Sequence, residues 1–479
     1  MTSTERVYIQ RSEEFEDRRE GTYPETGGMT SVGSVVNYTP TRNSDSDFQI
    51  QYKLDELQQL FGGELPDDVL DLVEIAVATF GVDRYLKREV IAGSDIADED
   101  ARINTRSIVI RIPVFTPELT TPEAQELLST MVSHMTYDII QFNCVQHPKT
   151  GSHTSGAFDT PSTGTEAVSL FSDGLDSAGG VNQNQAENID SKYVSLNYGS
   201  GLGSRHEELQ RLLNVSPHVF KLNYDGDTNE YTTFSRGFLH WVFAAATAAA
   251  YRSPEIRAFE TGLMARFAIL NEGWHTTRTV SPIAVDLFNN LLTEVLNWNT
   301  AVRNPFLTDT KREVVNRIST EEVVQTAVSC PHHGRQGQYE LNNCGQCVPC
   351  IIRNIAILTS QFNILTEDLS ICDWGDVDFE ARELPDKTPY QLPNRNDRDT
   401  FFLALGEIAH LCRLLQNEDA STVVTEYPEL ASKETYSLHK RFATEFTQAF
   451  DKVTQENPSA QSLIPVNSKN SEKRPETGD

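Results

Sequence analysis

The chain has 479 residues, 38% of them hydrophobic, with a mean hydropathy of -0.41 and a net charge of -29. That length predicts two or three packed units, and no apolar run reaches the roughly 18 residues that would suggest a membrane-spanning helix. Acidic residues are spread along the whole chain, which opposes sequence-independent binding to a phosphate backbone, so nucleic acid is not an expected partner. A hydrated acidic surface of this kind suits a high-salt cytoplasm, although an acidic protein from ordinary salt has the same balance. The start, Met1-Thr2-Ser3-Thr4-Glu5-Arg6, lacks an apolar signal segment, and the expected location is cytoplasmic.

In chain order, residues 1–47 are polar with little apolar periodicity and are expected to form a flexible N-terminal arm. Residues 48–150 read as an α+β unit. A helix opens near Pro66 with Val69, Leu70, Leu72, Val73, Ile75, Ala76 and Phe80 on its apolar face. Ile108–Ile112 is a predicted strand stopped by Pro113, and Thr121-Pro122 opens a predicted helix running to about Cys144. Gly151 to Thr165 is a Gly/Ser/Thr-rich linker. Over 166–329, strands at Ala167–Phe171, Tyr193–Tyr198 and Val219–Leu222 alternate with helices at Ser204–Leu213, Ser235–Tyr251 and Ser281–Trp298, the pattern of a parallel sheet covered on both faces. Residues 330–457 combine a cysteine cluster with mostly helical sequence, and 458–479 read as a disordered tail. No internal sequence repeat is present.

The chemistry begins at Phe171-Ser172-Asp173-Gly174-Leu175-Asp176-Ser177, which follows a buried-looking strand and precedes a helix. A loop of small residues there exposes backbone N–H groups beside the positive end of the helix, an arrangement suited to phosphate. Ser172 and Ser177 add hydroxyls, and Asp176 orients the loop or helps hold Mg²⁺. An ordinary Ser/Gly turn is the plain alternative. Further along, Cys330 is followed after thirteen residues by Cys344-Gly345-Gln346-Cys347-Val348-Pro349-Cys350. Four closely spaced thiols suit tetrahedral zinc; an iron–sulfur cluster or a redox pair is the alternative, and His332 and His333 are possible substitute ligands. Cys144, Cys372 and Cys412 stand alone, and Cys372 and Cys412 read as core or semi-buried thiols.

The loop resembles the PP-loop motif Ser-Gly-Gly-x-Asp-Ser, with Asp173 where that motif has a glycine. A PP-loop followed by Cys-x(n)-Cys-x-x-Cys-x-x-Cys-x-x-Arg, ending here at Arg353, resembles the 7-cyano-7-deazaguanine synthase (QueC) family. Asn197-Tyr198-Gly199 with Arg205-His206, the helix start at Arg236, Glu260-Thr261-Gly262 and Thr308 to Lys311 resemble further pieces of that family in the same order. The resemblance runs from about Ala167 to Leu358. It implies a Rossmann-like PP-loop core and ATP, Mg²⁺ and Zn²⁺ as cofactors. It further implies adenylation of a carboxylate, of the deazaguanine type, with release of pyrophosphate. On this reading Ser172, Asp176, Ser177 and Lys311 act in catalysis. The 171–177 loop, Asn197, Tyr198 and Arg236 bind nucleotide; Glu260, Thr261, Gly262 and Arg278 bind substrate; Cys330, Cys344, Cys347 and Cys350 bind metal. As plain alternatives, Arg278 and Lys311 are surface charges and Glu260 a local cap. The additional N- and C-terminal regions resemble the QueC-like component of anti-phage cassettes, which implies protein partners encoded alongside. A tRNA-modifying enzyme and an inactive scaffold are the competing functional readings, the latter favoured by Asp173.

Overall fold

The computed structural model describes residues 4–10, 35–38, 48–52, 54–86, 105–147, 164–198, 203–225, 234–266, 278–330, 343–364, 372–383 and 397–463; of 4–10, 35–38, 48–52, 198, 223–225 and 397–400 it describes the backbone alone. The first half of the chain supplies strands β1 (Thr4–Gln10), β2 (Val35–Tyr38), β3 (Phe48–Tyr52), β4 (Ser107–Val114) and β5 (Ile139–Gln146), with helices α1 (Asp55–Phe61), α2 (Asp67–Tyr85) and α3 (Pro122–Thr136). The second supplies β6 (Ala167–Leu170), α4 (Leu175–Glu187), β7 (Ser191–Tyr198), α5 (Ser204–Leu213), β8 (His218–Asp225), α6 (Arg236–Tyr251), β9 (Glu255–Arg257), α7 (Gly262–Ala265), α8 (Pro282–Asn290) and β10 (Ala301–Arg303). After these come α9 (Lys311–Val315), α10 (Glu321–Thr326), α11 (Val348–Thr359), α12 (Asp397–Asn417), α13 (Ala420–Glu426) and α14 (Lys433–Glu456).

All ten strands belong to one sheet, in the order β10-β9-β6-β7-β8-β3-β2-β1-β4-β5. Every neighbouring pair is parallel except β3 and β8, which meet antiparallel with Ile50 opposite Tyr224 and Tyr52 opposite Leu222. Numbered within each half, the strand order is 3-2-1-4-5 on both sides of that seam. The molecule is therefore two parallel α/β halves of the same winding, joined edge to edge through their third strands. Helices in corresponding positions pack across the seam, α2 against α6 and α3 against α8. Polar ties reinforce it: Trp298 Nε1 donates to Asp68 at 2.7 Å, His134 Nε2 lies 2.7 Å from Ser281 Oγ, and Ser235 donates through N–H and hydroxyl to Asp83 at 2.9 and 2.8 Å. Buried Arg106 is held between Asp83 and Asp138 at 2.6 and 2.5 Å.

Side-chain alternation explains the two-layer cover of the second half. On β7, Val194 and Leu196 face the large core shared with α2 and α6, whereas Tyr193 faces a separate core with α4 and α5. A third core, built from α11, α12 and α14 around Trp374 and Phe450, forms the helical C-terminal region. Among the described residues no helix is long and apolar enough to cross a membrane.

Several sequence expectations are corrected. Residues 4–10 and 35–38 of the expected arm are strands inside the sheet, and the N-terminal unit is a parallel α/β half instead of an α+β unit. Short strands with one or two apolar residues carry too little periodic signal to stand out from polar sequence. The helix from Thr121-Pro122 ends at Thr136, where Tyr137 takes a left-handed conformation (φ 61°), and 139–146 is strand β5. Strand β4 runs on through Pro113, because its pairing with β1 ends at Arg111 and no ladder hydrogen bond is lost. Pro458–Leu463 is a 3₁₀ turn packed on α14; the remainder of the predicted tail and the 151–163 part of the predicted linker lie outside the described residues.

Candidate functional site

In an open parallel sheet the crevice for ligands forms outside the carboxyl ends of the strands. Strand β6 ends there at Leu170, and the chain turns through Phe171–Gly174 into α4. Ser172 N–H donates to Ser177 Oγ at 3.0 Å, the two hydroxyls lie 2.9 Å apart, and Gly174 N–H reaches Ser172 Oγ at 3.3 Å. The two serines thus close the turn on itself, with Ser172 exposed and Ser177 buried. Phe171 anchors the loop from below, its ring 5.1 Å from that of His206 and 6.1 Å from that of Tyr193. Burial lowers the pKa of His206, and its Nε2 lies 3.4 Å from Ser195 Oγ, so it is a packed core histidine.

Opposite charges converge at the start of α4. Lys311 Nζ donates to Asp176 Oδ2 at 2.7 Å with both groups buried. Glu260 stands beside the same carboxylate; burial, and then the charge of Asp176, push its pKa up to about 8, against the pull of Lys311 and Arg236. Arg236, the exposed first residue of α6, adds positive charge from the next strand's crossover. Thr261 Oγ1 is buried without a hydrogen-bond partner among the described residues. Close packing places these groups: a Cβ at Gly180 would fall 2.4 Å from the ring of Phe259, so only glycine lets α4 approach the strand end that carries Glu260.

The four predicted cysteine ligands form one group, with all sulfurs within 4.8 Å of one another. Zinc with Zn–S bonds near 2.3 Å separates tetrahedral sulfurs by about 3.8 Å; Cys344 and Cys350 Sγ are 3.8 Å apart. Backbone N–H groups of Gln346 and Cys347 point at Cys344 Sγ at 3.4 and 3.3 Å, an arrangement that favours thiolate. The residues present fit a metal ion such as zinc, and four protein sulfurs leave no open position, so the site is structural. It also reaches the loop: Val328, packed among the cysteines, donates its N–H to Asp173 O at 2.7 Å. Arg353 is buried behind the cluster and bonds Val324 O and Ala327 O. His332 and His333 lie outside the described residues. Cys372 and Cys412 are buried as expected, and Cys144 is buried too.

Other predicted residues are less concentrated. Asn197 lies near the end of β7, half-buried, and of Tyr198 the backbone alone is described. Gly262 opens α7 directly after Glu260. Arg278 is not part of the Asp176–Glu260–Lys311 group: its guanidinium lies over the Tyr137 ring, 4.1 Å from the centroid, at the seam with the first half. The contribution of that half, Tyr137 and the Arg106 network beside Ser235, left no trace in the sequence motifs. The sequence matches no protein-family model, and no curated protein is similar enough to count as a relative.

Proposed function

We propose that the crevice at the carboxyl ends of β6 and β7 is a PP-loop site that binds ATP and activates a carboxylate as its adenylate. The observation that carries this reading is the convergence of Lys311, Asp176 and Glu260, from three separate segments, on the N-terminal end of α4 beside the Ser172–Ser177 turn. Helix N-termini favour anions, and a buried lysine beside one suits the negative charge of a polyphosphate. In the reaction a substrate carboxylate oxygen bonds to the α-phosphorus while the bond to the β-phosphate breaks, releasing pyrophosphate. An amine then attacks the acyl carbon, loses a proton, and AMP departs.

Loop N–H groups, Lys311 and Arg236 stabilise charge on the phosphates. Mg²⁺ on the nucleotide would neutralise further charge, and Asp176, in the first turn of α4, is the carboxylate that would help hold it. Glu260, whose pKa burial and Asp176 raise, can hold a proton to donate and suits a polar heterocycle of the 7-deazaguanine type. Proteins of an anti-phage cassette remain the partners this reading favours, and the cytoplasm its location. An inactive scaffold is favoured by one observation, the extra carboxylate of Asp173 in the loop. The test is pyrophosphate and AMP release from Mg²⁺-ATP, with and without 7-carboxy-7-deazaguanine, at low and molar salt. Substrate-dependent release is expected; tight ATP binding with no release under any condition would favour the scaffold.

A further inference from the structure

Lys311 is the first residue of α9, a helix of five residues. So short a helix does not hold itself in water, so the position of Lys311 has to be set from outside. Part of the answer is local. Thr310 caps the helix, its hydroxyl accepting from Glu313 N–H at 3.3 Å while Glu313 Oε2 accepts from Thr310 N–H at 2.8 Å. The remaining hydroxyl proton of Thr310 is donated to Glu445 Oε1 at 2.7 Å, across 135 residues of sequence. Glu445 sits on α14 and is 4% exposed.

Two further residues on the same face of α14 grip the same region. Arg441 Nε donates to Glu313 Oε1 at 3.0 Å and its guanidinium reaches Thr308 O. Leu438 presses on Gly262, where a Cβ would lie 3.0 Å from Leu438 Cδ2 and 2.0 Å from Leu307 O. Leu438, Arg441 and Glu445 are spaced i, i+3, i+7, a single stripe along the helix. That stripe touches both segments that deliver groups to the crevice, 308–313 with Lys311 and 260–262 with Glu260.

We infer that Glu445 is a positioning residue: through the Thr310 hydroxyl, α14 fixes the start of α9 and holds Lys311 on Asp176. The groups facing Glu445 are Thr310, Glu313 and Arg312 on the α9 side, Arg441 on its own helix, and Cys412 on α12. Burial pushes its carboxyl up to about 7, so glutamine, which keeps the accepting oxygen without the charge, reproduces the neutral form. The role in turnover rests on the ATP reading above, but the placement of Lys311 does not.

The experiment therefore reads Lys311 directly. The full chain, without nucleotide, is labelled with trace acetic anhydride, and acetylation of Lys311 is followed by mass spectrometry against Lys452 and Lys192 as internal standards. Lys452, also on α14, is tied to Leu358 O and Asn363 and reports whether that helix stays docked. Glu445→Leu and Thr310→Val are expected to raise Lys311 labelling by roughly tenfold, the population shift that loss of one buried hydrogen bond permits. Glu445→Gln and Thr310→Ser are expected to match the wild type. Pyrophosphate release, if present, should lose kcat with KM little changed in the first pair and recover in the second. Unchanged Lys311 labelling in folded Glu445→Leu or Thr310→Val would overturn the inference, and so would a rise shared equally by Lys452 and Lys192. Failure of pyrophosphate release in the wild type would overturn the ATP reading and leave the labelling result standing.

Discussion

The two halves of the sheet have the same winding and opposite fates at the same address. In each, the fourth strand ends at the crevice and a loop follows whose backbone N–H groups the chain itself binds. In the first half, Asp71, on the fifth position of α2, turns its Oδ2 into that loop and accepts from Phe115 N–H at 2.8 Å and Thr116 N–H at 2.7 Å. The carboxylate is thereby tied to the backbone, and nearby the rings of Phe115 and His147 pack on each other with centroids 4.3 Å apart. In the second half the fifth position of α6 is His240, and the corresponding loop carries Glu260 toward Asp176 and Lys311. A doubly wound sheet provides a crevice in either case, and the side chains at the end of the fourth strand make the two differ.

The comparison can be broken most severely at the four-cysteine cluster, which supports only the second half. Removing the metal with a chelator, or changing Cys347→Ser, should release one zinc per chain and lower Tm by more than about 10 °C, because metal binding is folding free energy. Metal analysis with calorimetry checks this, and protection of β4 and β5 amides from hydrogen exchange should persist after the second half loosens. Lys311→Ala or Ser177→Ala should come next, with pyrophosphate release falling by roughly 10²–10³-fold, the cost of losing a group that stabilises developing charge. Steady-state assays on protein shown to be folded would settle it, and turnover near wild type would remove the loop from the mechanism.

The mirror experiment is Asp71→Ala. Two partly buried N–H groups lose their acceptor, so a stability loss of about 1–2 kcal/mol in urea unfolding is expected, with turnover per folded molecule unchanged. A fall in turnover would mean the first half shares in the chemistry.

A further effect concerns pH. Burial pushes the Glu260 carboxyl up to about 8 in the folded chain, from 4.5 when it is exposed to water. Between those values the folded chain holds a proton that the unfolded chain has lost, so the contribution of Glu260 to stability falls as pH rises from about 4.5 to 8. Glu260→Gln, which resembles the protonated form, should match the wild type near pH 4.5 and gain on it progressively up to pH 8. Thermal unfolding of the two proteins across that range reads the difference, and parallel curves would place the carboxyl in a less buried setting.

Much of the site was legible because its parts are local. The Ser172–Ser177 turn, the cysteine spacing, the cap at Thr121 and the helix over Ser204–Leu213 depend on residues a few positions apart, and short-range geometry governs them. The capping box of Thr310 with Glu313 is equally local and could have been read as the start of a helix carrying Lys311. The three-residue strands β9 and β10 and the strands of the first 52 residues were not legible, since so few residues define no period and pairing alone makes them strands.

What the sequence by itself determined is therefore the α/β pattern of the second half, the four-thiol cluster and the candidate loop, each encoded within a short stretch of chain. Only the tertiary structure decided that the first half repeats the winding of the second and that β3 meets β8. It also decided that Glu260 stands beside Asp176, where burial raises its pKa, and that α14 reaches back to Thr310. These depend on which distant segments share a buried volume, where removal from water raises a carboxyl's pKa and tertiary contacts fix a five-residue helix, and no local pattern carries that information.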